Sequence, residues 1–361
     1  MVTATLVVFG IANAYGALSL QTPGGGGTGF ALRQLIGALF GLLAMSAVSR
    51  LDYHLWRRLA WPLLILTIAA LLVPVLPGLA RYAPSINGAR RWVDLGAVRF
   101  QPSELARLTV VVWCAMLAAK KGPQVREFKK GVLPFLVGIG TVSVLIFLQP
   151  NLSMATLVAL IGMTVLFSAG AKIGHFMVLA FGALFLVYEK IQAAQYRAAR
   201  LATFLNPGDA SDAAGMQIHQ SLVGIGSGRL VGVGFGEGQQ KLFLPYAYSD
   251  FLFSTIGEEW GFLGVVLVVA LFGLFLWLGF RIARSAPDPF GQFLAVGITA
   301  AVGITAVMHM AVSLALMPTT GLTLPFMSYG RSSLVISLVA TGILINIGRM
   351  RGKPVRERPS E

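Results

Sequence analysis

Four arginines and one aspartate are the side chains of this sequence whose types and positions suit chemistry. Arg90, Arg91, Arg99 and Arg107 fall within Asn87-Gly-Ala-Arg-Arg-Trp-Val-Asp-Leu-Gly-Ala-Val-Arg-Phe-Gln-Pro-Ser-Glu-Leu-Ala-Arg107. Guanidinium forks contact phosphate in bidentate fashion, and Gln101-Pro102-Ser103-Glu104 reads as a helix start. A cluster at that N-terminus suits a pyrophosphate. Lipid phosphates would also satisfy Arg90, Arg91 and Arg99, and Glu104 and Arg107, spaced i, i+3, suit a local salt bridge. Asp250 is one of 14 acids and stands where a polar stretch gives way to Phe251-Leu-Phe253. A carboxylate at such a boundary suits a general base, a ligand for a divalent cation (Mg or Mn), or a helix N-cap. On a helix of ~3.6 residues per turn, Glu258 falls within about 80° of Asp250 and Glu259 points to the opposite side.

The elements that must hold these groups are membrane spans. The 361 residues are 56% hydrophobic and 12% charged, with a mean hydropathy of +0.77, too little polar material to coat a water-soluble globule. Apolar runs near residues 2–20, 31–49, 59–79, 104–119, 131–149, 151–170, 173–189, 251–280, 290–317 and 329–348 approach the ~20 residues a helix needs to cross about 30 Å of hydrocarbon. The expected class is an all-α polytopic membrane protein of about ten spans, one integral membrane domain over residues 1–361. The run at 2–20 has no basic region before it, which favours a span over a cleavable signal. Barrel-type alternation is absent.

Charge sets the expected orientation. If the first span leaves the cytoplasm, 16 of the 28 Lys and Arg residues face inward, as the positive-inside rule requires. Both termini are then cytoplasmic, with a basic tail at 349–361. An Arg-rich loop at 80–103 and a large loop at 190–250, between spans seven and eight, are extracytoplasmic. The net charge of +14 reads as topology and attraction to anionic lipid; no nucleic-acid module accompanies it. Cys114 is alone, excluding an internal disulfide, and His54, His175, His219 and His309 show no metal-ligand spacing. Thr22-Pro-Gly-Gly-Gly-Gly-Thr28 reads as a connector. The glycines from Gly224 to Gly238 lack dinucleotide spacing and suit tight turns and close backbone approach.

Several motifs in order carry a resemblance: Asn87-Gly-Ala-Arg-Arg-Trp92, Arg99-Phe-Gln-Pro-Ser-Glu104, Gln149-Pro150, Gln239-Gln-Lys-Leu-Phe-Leu-Pro245, Ser249-Asp-Phe-Leu-Phe253, Ile256-Gly-Glu-Glu259, Thr320-Gly-Leu-Thr-Leu-Pro-Phe-Met-Ser-Tyr-Gly330 and Ser332-Ser333. Through nearly its whole length the chain resembles the SEDS family of bacterial shape, elongation, division and sporulation proteins. The resemblance implies a ten-span glycosyltransferase of the bacterial inner membrane that polymerises lipid II into peptidoglycan glycan strands. It implies a class B penicillin-binding protein as transpeptidase partner, beside other division or elongation membrane proteins, and an active site on the extracytoplasmic side. Asp250 matches the family's essential aspartate, and Arg99 a functional arginine. Arg107, Arg90, Arg91, Trp92, Gln101, Glu104, Lys241, Glu258, Ser332 and Ser333 are the remaining candidate substrate contacts.

The chain departs from the family at several positions. Arg107 stands where Lys is usual, Asn151 where an acid follows Gln-Pro, and Ser153 for a Gly. Tyr246 and Tyr248 stand where Glu and His are common, His309 for Asn, and Arg331 for the first Gly of Gly-Gly-Ser-Ser. Asn87, Gln239-Gln-Lys241 and Gly321-Leu-Thr-Leu-Pro-Phe326 look more like division members than elongation members. A lipid II flippase and a non-catalytic scaffold are the readings from other classes.

Overall fold

The computed structural model describes residues 1–21, 26–86, 88–96, 99–192, 204 and 213–351. Asn87, the stretch 193–203, most of Phe204-to-Asp209, residues 22–25 of the glycine connector and the tail beyond residue 351 lie outside the described residues. The described chain is mostly helical: α1 (Val2–Gln21), α2 (Gly26–Val48), α3 (His54–Leu72), α4 (Pro102–Lys121), α5 (Leu133–Leu148), α6 (Leu152–Ser168), α7 (Ile173–Gln192), α8 (Ala213–Ser227), α9 (Leu252–Arg284), α10 (Pro289–Ser313) and α11 (Arg331–Arg349). All but α8 coincide with the ten apolar runs. Seven are long and apolar enough to cross a membrane, and α1, α6 and α7 carry the shorter apolar stretches Val2–Ala17, Leu152–Ser168 and Ile173–Gly182. The class expected from the sequence, an all-α polytopic membrane protein, is the class found.

Boundaries moved where local chemistry intervenes. α3 ends at Leu72 rather than near 79, because Pro74 and Pro77 have no N–H to continue the ladder, and a 3₁₀ turn follows over Pro77–Tyr82. Gly26 to Thr28 of the expected connector form the first turn of α2. The Arg-rich stretch holds two small hairpins that the sequence reading treated as loop. β1 (Ser85–Ile86) pairs with β2 (Ala89–Arg90), and β3 (Val93–Asp94) with β4 (Arg99–Phe100), both antiparallel. The Asn-Gly pair was the available signal.

Contacts divide the chain into two compact units, each assembled from three stretches: residues 1–39, 174–274 and 303–334 in the first, and 40–173, 275–302 and 335–361 in the second. In the second unit α4 is enclosed by protein, packing on α3 and α6. That explains how the least hydropathic of the long spans is tolerated. Its Thr109 hydroxyl meets that of Thr67 at 2.9 Å, and Trp113 packs edge-on to Trp61 and Phe135. Gly138 leaves no room for a Cβ beside the Trp113 ring, the close approach that small residues allow between membrane helices. In the first unit, by contrast, α2 exposes Leu35, Ile36 and Leu39, a surface matched to hydrocarbon.

The first unit is organised by a break in α9. Gly261 takes φ 63° and ψ −159°, so the ladder opens there, and residues 229–234 fill it. The freed carbonyls of Glu258 and Glu259 accept from Val233 and Gly234 N–H at 3.0 and 3.2 Å, while Phe262 and Leu263 N–H donate to the Arg229 and Leu230 carbonyls at 2.9 and 3.2 Å. Backbone groups freed within a span must be satisfied by protein. Gly232, at φ +84°, lies so close that a Cβ would overlap the Glu259 carbonyl. Gly232→Ala should therefore destabilise the protein by about 2 kcal/mol or more in thermal unfolding. Gly226→Ala, in open space within α8, should be neutral or slightly stabilising. Equal melting of the two variants would refute this account of the break.

Candidate active site

Asp250 lies two residues before α9, in a tight turn rather than on the helix. Tyr246 makes the turn with φ +59°, and its carbonyl accepts from both Ser249 and Asp250 N–H at 2.9 Å. The expected helical-face relation between Asp250 and Glu258 therefore does not hold: a left-handed tyrosine replaces the helical turn on which it depended. The half-buried carboxylate accepts from Ser249 Oγ at 2.9 Å.

The segment before α11 frames this turn. Ser328 Oγ donates to the Ser249 carbonyl at 2.6 Å and accepts from Leu324 N–H at 2.9 Å, and Tyr329 N–H donates to the Tyr248 carbonyl at 3.0 Å. The Gln34 amide bonds both the Ser328 carbonyl and Gly330 N–H. Buried His309 holds the Leu322 carbonyl at 2.7 Å through Nδ1, which must be the protonated nitrogen because the carbonyl only accepts. These bonds set Gly321, at φ +67°, against the aspartate: a Cβ there would sit 3.5 Å from Asp250 Oδ2. Ser333 accepts from Thr323 Oγ1 at 3.1 Å, and Ser332 is half-buried in the first turn of α11. Burial raises the Tyr248 phenol, with Tyr246, Tyr329 and Asp250 adding to the effect.

Lys241 and Glu258 belong to a buried clamp in the same unit. Lys241 Nζ donates to Glu259 Oε1 at 2.7 Å, to the Gly236 carbonyl at 2.8 Å and to the Gly16 carbonyl at 3.0 Å, which uses all three ammonium protons. Both side chains of the ion pair are fully buried. Glu258 accepts from Gln239 and Gln240 N–H at 2.7 and 3.1 Å. Both residues thus tie the chain before Asp250 to α9. Glu259, which the sequence reading did not select, is the partner; adjacent acids inside a long apolar run were the available signal. Nearby, an open apolar groove of about 730 Å³, lined by Ala4, Thr5, Val8, Phe9, Ala12, Phe235 and Trp260, suits a hydrocarbon chain.

The arginines belong to the second unit. Arg90 is exposed on β2. Arg91 is engaged by the Gln149-Pro150 turn, with Nε donating to the Gln149 carbonyl at 3.2 Å and Nη2 to that of Pro150. Gln149 in turn donates to the Leu71 carbonyl at 2.8 Å, and Asn151 caps α6 by accepting from Met154 N–H. Arg99 donates from Nε and Nη2 to Asp94 Oδ2 at 2.9 and 2.6 Å. That guanidinium, with the Gly96 N–H, holds the Asp94 carboxyl below its usual range. Arg107 is buried within 3.0 Å of Glu104 Oε2, the expected i, i+3 pair. The well-directed hydrogen bond of its Nη2 goes to Ser337 Oγ at 3.1 Å, and Glu104 Oε2 receives no aligned N–H. Trp92 is half-buried, and Gln101 occupies the N-cap of α4 without a side-chain bond. Among the described residues no three His, Cys, Asp or Glu side chains converge.

The cell cycle protein family FtsW/RodA/SpoVE matches residues 1–353. The chain belongs to this family. The FtsW/RodA/SpoVE members most similar in sequence include the "Probable peptidoglycan glycosyltransferase FtsW" of Geobacter sulfurreducens, 38% identical over 98% of this chain and 95% of that protein. The protein of the same name from Trichlorobacter lovleyi is 40% identical over 96% and 91%. "Stage V sporulation protein E" of Bacillus subtilis is 37% identical over 89% and 87%. Among solved structures, a chain of a peptidoglycan synthase complex that coordinates polymerization and crosslinking superposes with a TM-score of 0.81 at 29% identity, covering 98% of this chain and 97% of that one. The rod shape determining protein RodA of Thermus thermophilus gives 0.72 at 28% over 98% and 96%. The family resemblance read from the motifs is borne out.

Proposed function

We propose that this chain is a peptidoglycan glycosyltransferase that polymerises lipid II into glycan strands, serving septal synthesis in division rather than elongation. The observation that carries the reading is its near full-length identity, 37–40%, with relatives of which most bear the FtsW name. In the reaction an acceptor sugar hydroxyl attacks the donor's anomeric carbon. The new C–O bond forms as the bond to pyrophosphate breaks, undecaprenyl pyrophosphate leaves with the electron pair, and the hydroxyl proton goes to a base. Asp250 is assigned that proton.

Positive charge for the leaving group is assigned to Arg99, Arg107 and Arg90. Asp94 takes up Nε and Nη2 of the Arg99 fork, and Nη1 is the nitrogen assigned to the pyrophosphate. Arg91, Trp92, Gln101 and Glu104 shape that segment. A divalent cation also fits the donor set: Mg²⁺ commonly takes one or two carboxylates plus substrate phosphates rather than an all-protein cage, and Asp250 would be its ligand. Such an ion would neutralise pyrophosphate charge. We place the protein in the bacterial inner membrane, with both termini cytoplasmic, the Asp250 turn extracytoplasmic and a class B penicillin-binding protein as transpeptidase partner.

The test is reconstitution of the purified chain with lipid II, with and without a candidate transpeptidase and with and without Mg²⁺ or Mn²⁺. Glycan polymer on gels is the expected product. Transbilayer movement of labelled lipid II without polymer would replace this reading with a flippase, and partner binding with neither activity would replace it with a scaffold.

A further inference from the structure

An aromatic cluster borders Asp250 within the first unit. Tyr246 packs against Tyr248 with ring centroids 6.3 Å apart at 67°, Tyr248 against Tyr329 at 5.7 Å and 81°, and Tyr329 against Phe30 at 5.5 Å and 64°. Each contact is edge-to-face, so the rings brace one another without stacking flat. Tyr246, at the end of the series, is 43% exposed. Its φ of +59° is a genuine outlier for a bulky residue and costs free energy that an Asn or Gly would not. A strained aromatic ring held in the open four residues before the candidate base calls for a reason beyond packing.

We propose that Tyr246, braced by Tyr248 and Tyr329, is a stacking platform for a hexosamine ring of the substrate beside Asp250. This rests on the glycosyltransferase reading and names a subsite within it. A pyranose ring presents axial C–H groups on one face, and their partial positive charge is attracted to the negative face of an aromatic ring. The phenol adds a polar edge for sugar hydroxyls. Bound there, the sugar lies next to the carboxylate that takes the proton. The competing role for exposed tyrosines near span ends is anchoring at the membrane interface, which is blind to sugar.

The discriminating experiment measures equilibrium binding to the full chain in nanodiscs of two probes, lipid II and undecaprenyl pyrophosphate, which shares the anchor and the pyrophosphate but carries neither the sugars nor the stem peptide. Tyr246→Asn removes the ring while keeping a residue that tolerates positive φ, so folding is preserved. It should weaken lipid II binding about tenfold and undecaprenyl pyrophosphate binding less than twofold. Tyr246→Phe should bind lipid II within about threefold of the natural chain, because the ring face remains. Equal losses for both probes, no loss for either, or a Phe variant as weak as the Asn variant would overturn the platform. Binding needs no turnover: sugar-dependent binding through Tyr246 without polymer would keep the platform and remove the polymerase reading, whereas polymer formation with sugar-blind binding would do the reverse.

Discussion

Asp250→Asn should retain fold and lipid II binding yet lose polymerisation by about 10²- to 10⁴-fold, the range a positioned general base contributes. Asparagine has the same shape, and its Oδ1 can still accept from Ser249 Oγ, the bond that orients the carboxylate at 2.9 Å. What disappears is the capacity to take a proton. Asp250→Glu should recover little, because the extra methylene carries the carboxylate on the order of 1 Å away from the position that Ser249 Oγ orients, and a misplacement of that size costs about 10²-fold in rate. The measurement is initial polymerisation rate from purified lipid II, with binding and melting followed in parallel. Rates for the Asn variant equal to those of the natural chain would remove Asp250 as the base.

Lys241→Met should be the most destabilising single change considered, at about 3–5 kcal/mol, the cost of leaving one member of a buried ion pair alone. Glu259 would lose its 2.7 Å partner in a fully buried position, and the Gly16 and Gly236 carbonyls would lose their donor. Glu259→Leu should cost a similar amount. The double variant Lys241→Met/Glu259→Leu should recover much of the loss, since no lone charge remains; the two carbonyls keep it short of full recovery at about 1–3 kcal/mol. Thermal unfolding of the four proteins in one detergent gives the cycle. Additive losses would show that the two residues act independently and that the clamp does not exist.

Periodicity and composition made the spans legible because each is a long apolar run, and the motif order made the family legible. The local geometry was not. Predicting the Asp250 turn would have required expecting a left-handed tyrosine, which no propensity favours. Lys241 and Glu259 are 18 residues apart, and an angle between Glu259 and Asp250 has no meaning on a helix that Asp250 does not share. Arg91 looked like a ligand group because the carbonyls of Gln149 and Pro150 that occupy it are backbone atoms, invisible to side-chain reasoning. Glu104 and Arg107 were legible because their partnership is local, at i, i+3.

The break at Gly261 bears on how the protein meets bilayers of different thickness. An unbroken helix of 33 residues would be about 50 Å long, well beyond the hydrocarbon core, whereas residues 262–284 alone span roughly 35 Å. A span of that length is close to the hydrocarbon thickness and needs little tilt to match it. The nine-residue portion before it is tied to residues 233 and 234 rather than to the rest of the helix ladder. Because residues 229–234 also accept from Phe262 and Leu263 N–H, the same short segment joins both portions, and the lipid-adjusted part of the span stays hydrogen-bonded to the chain that leads toward Asp250.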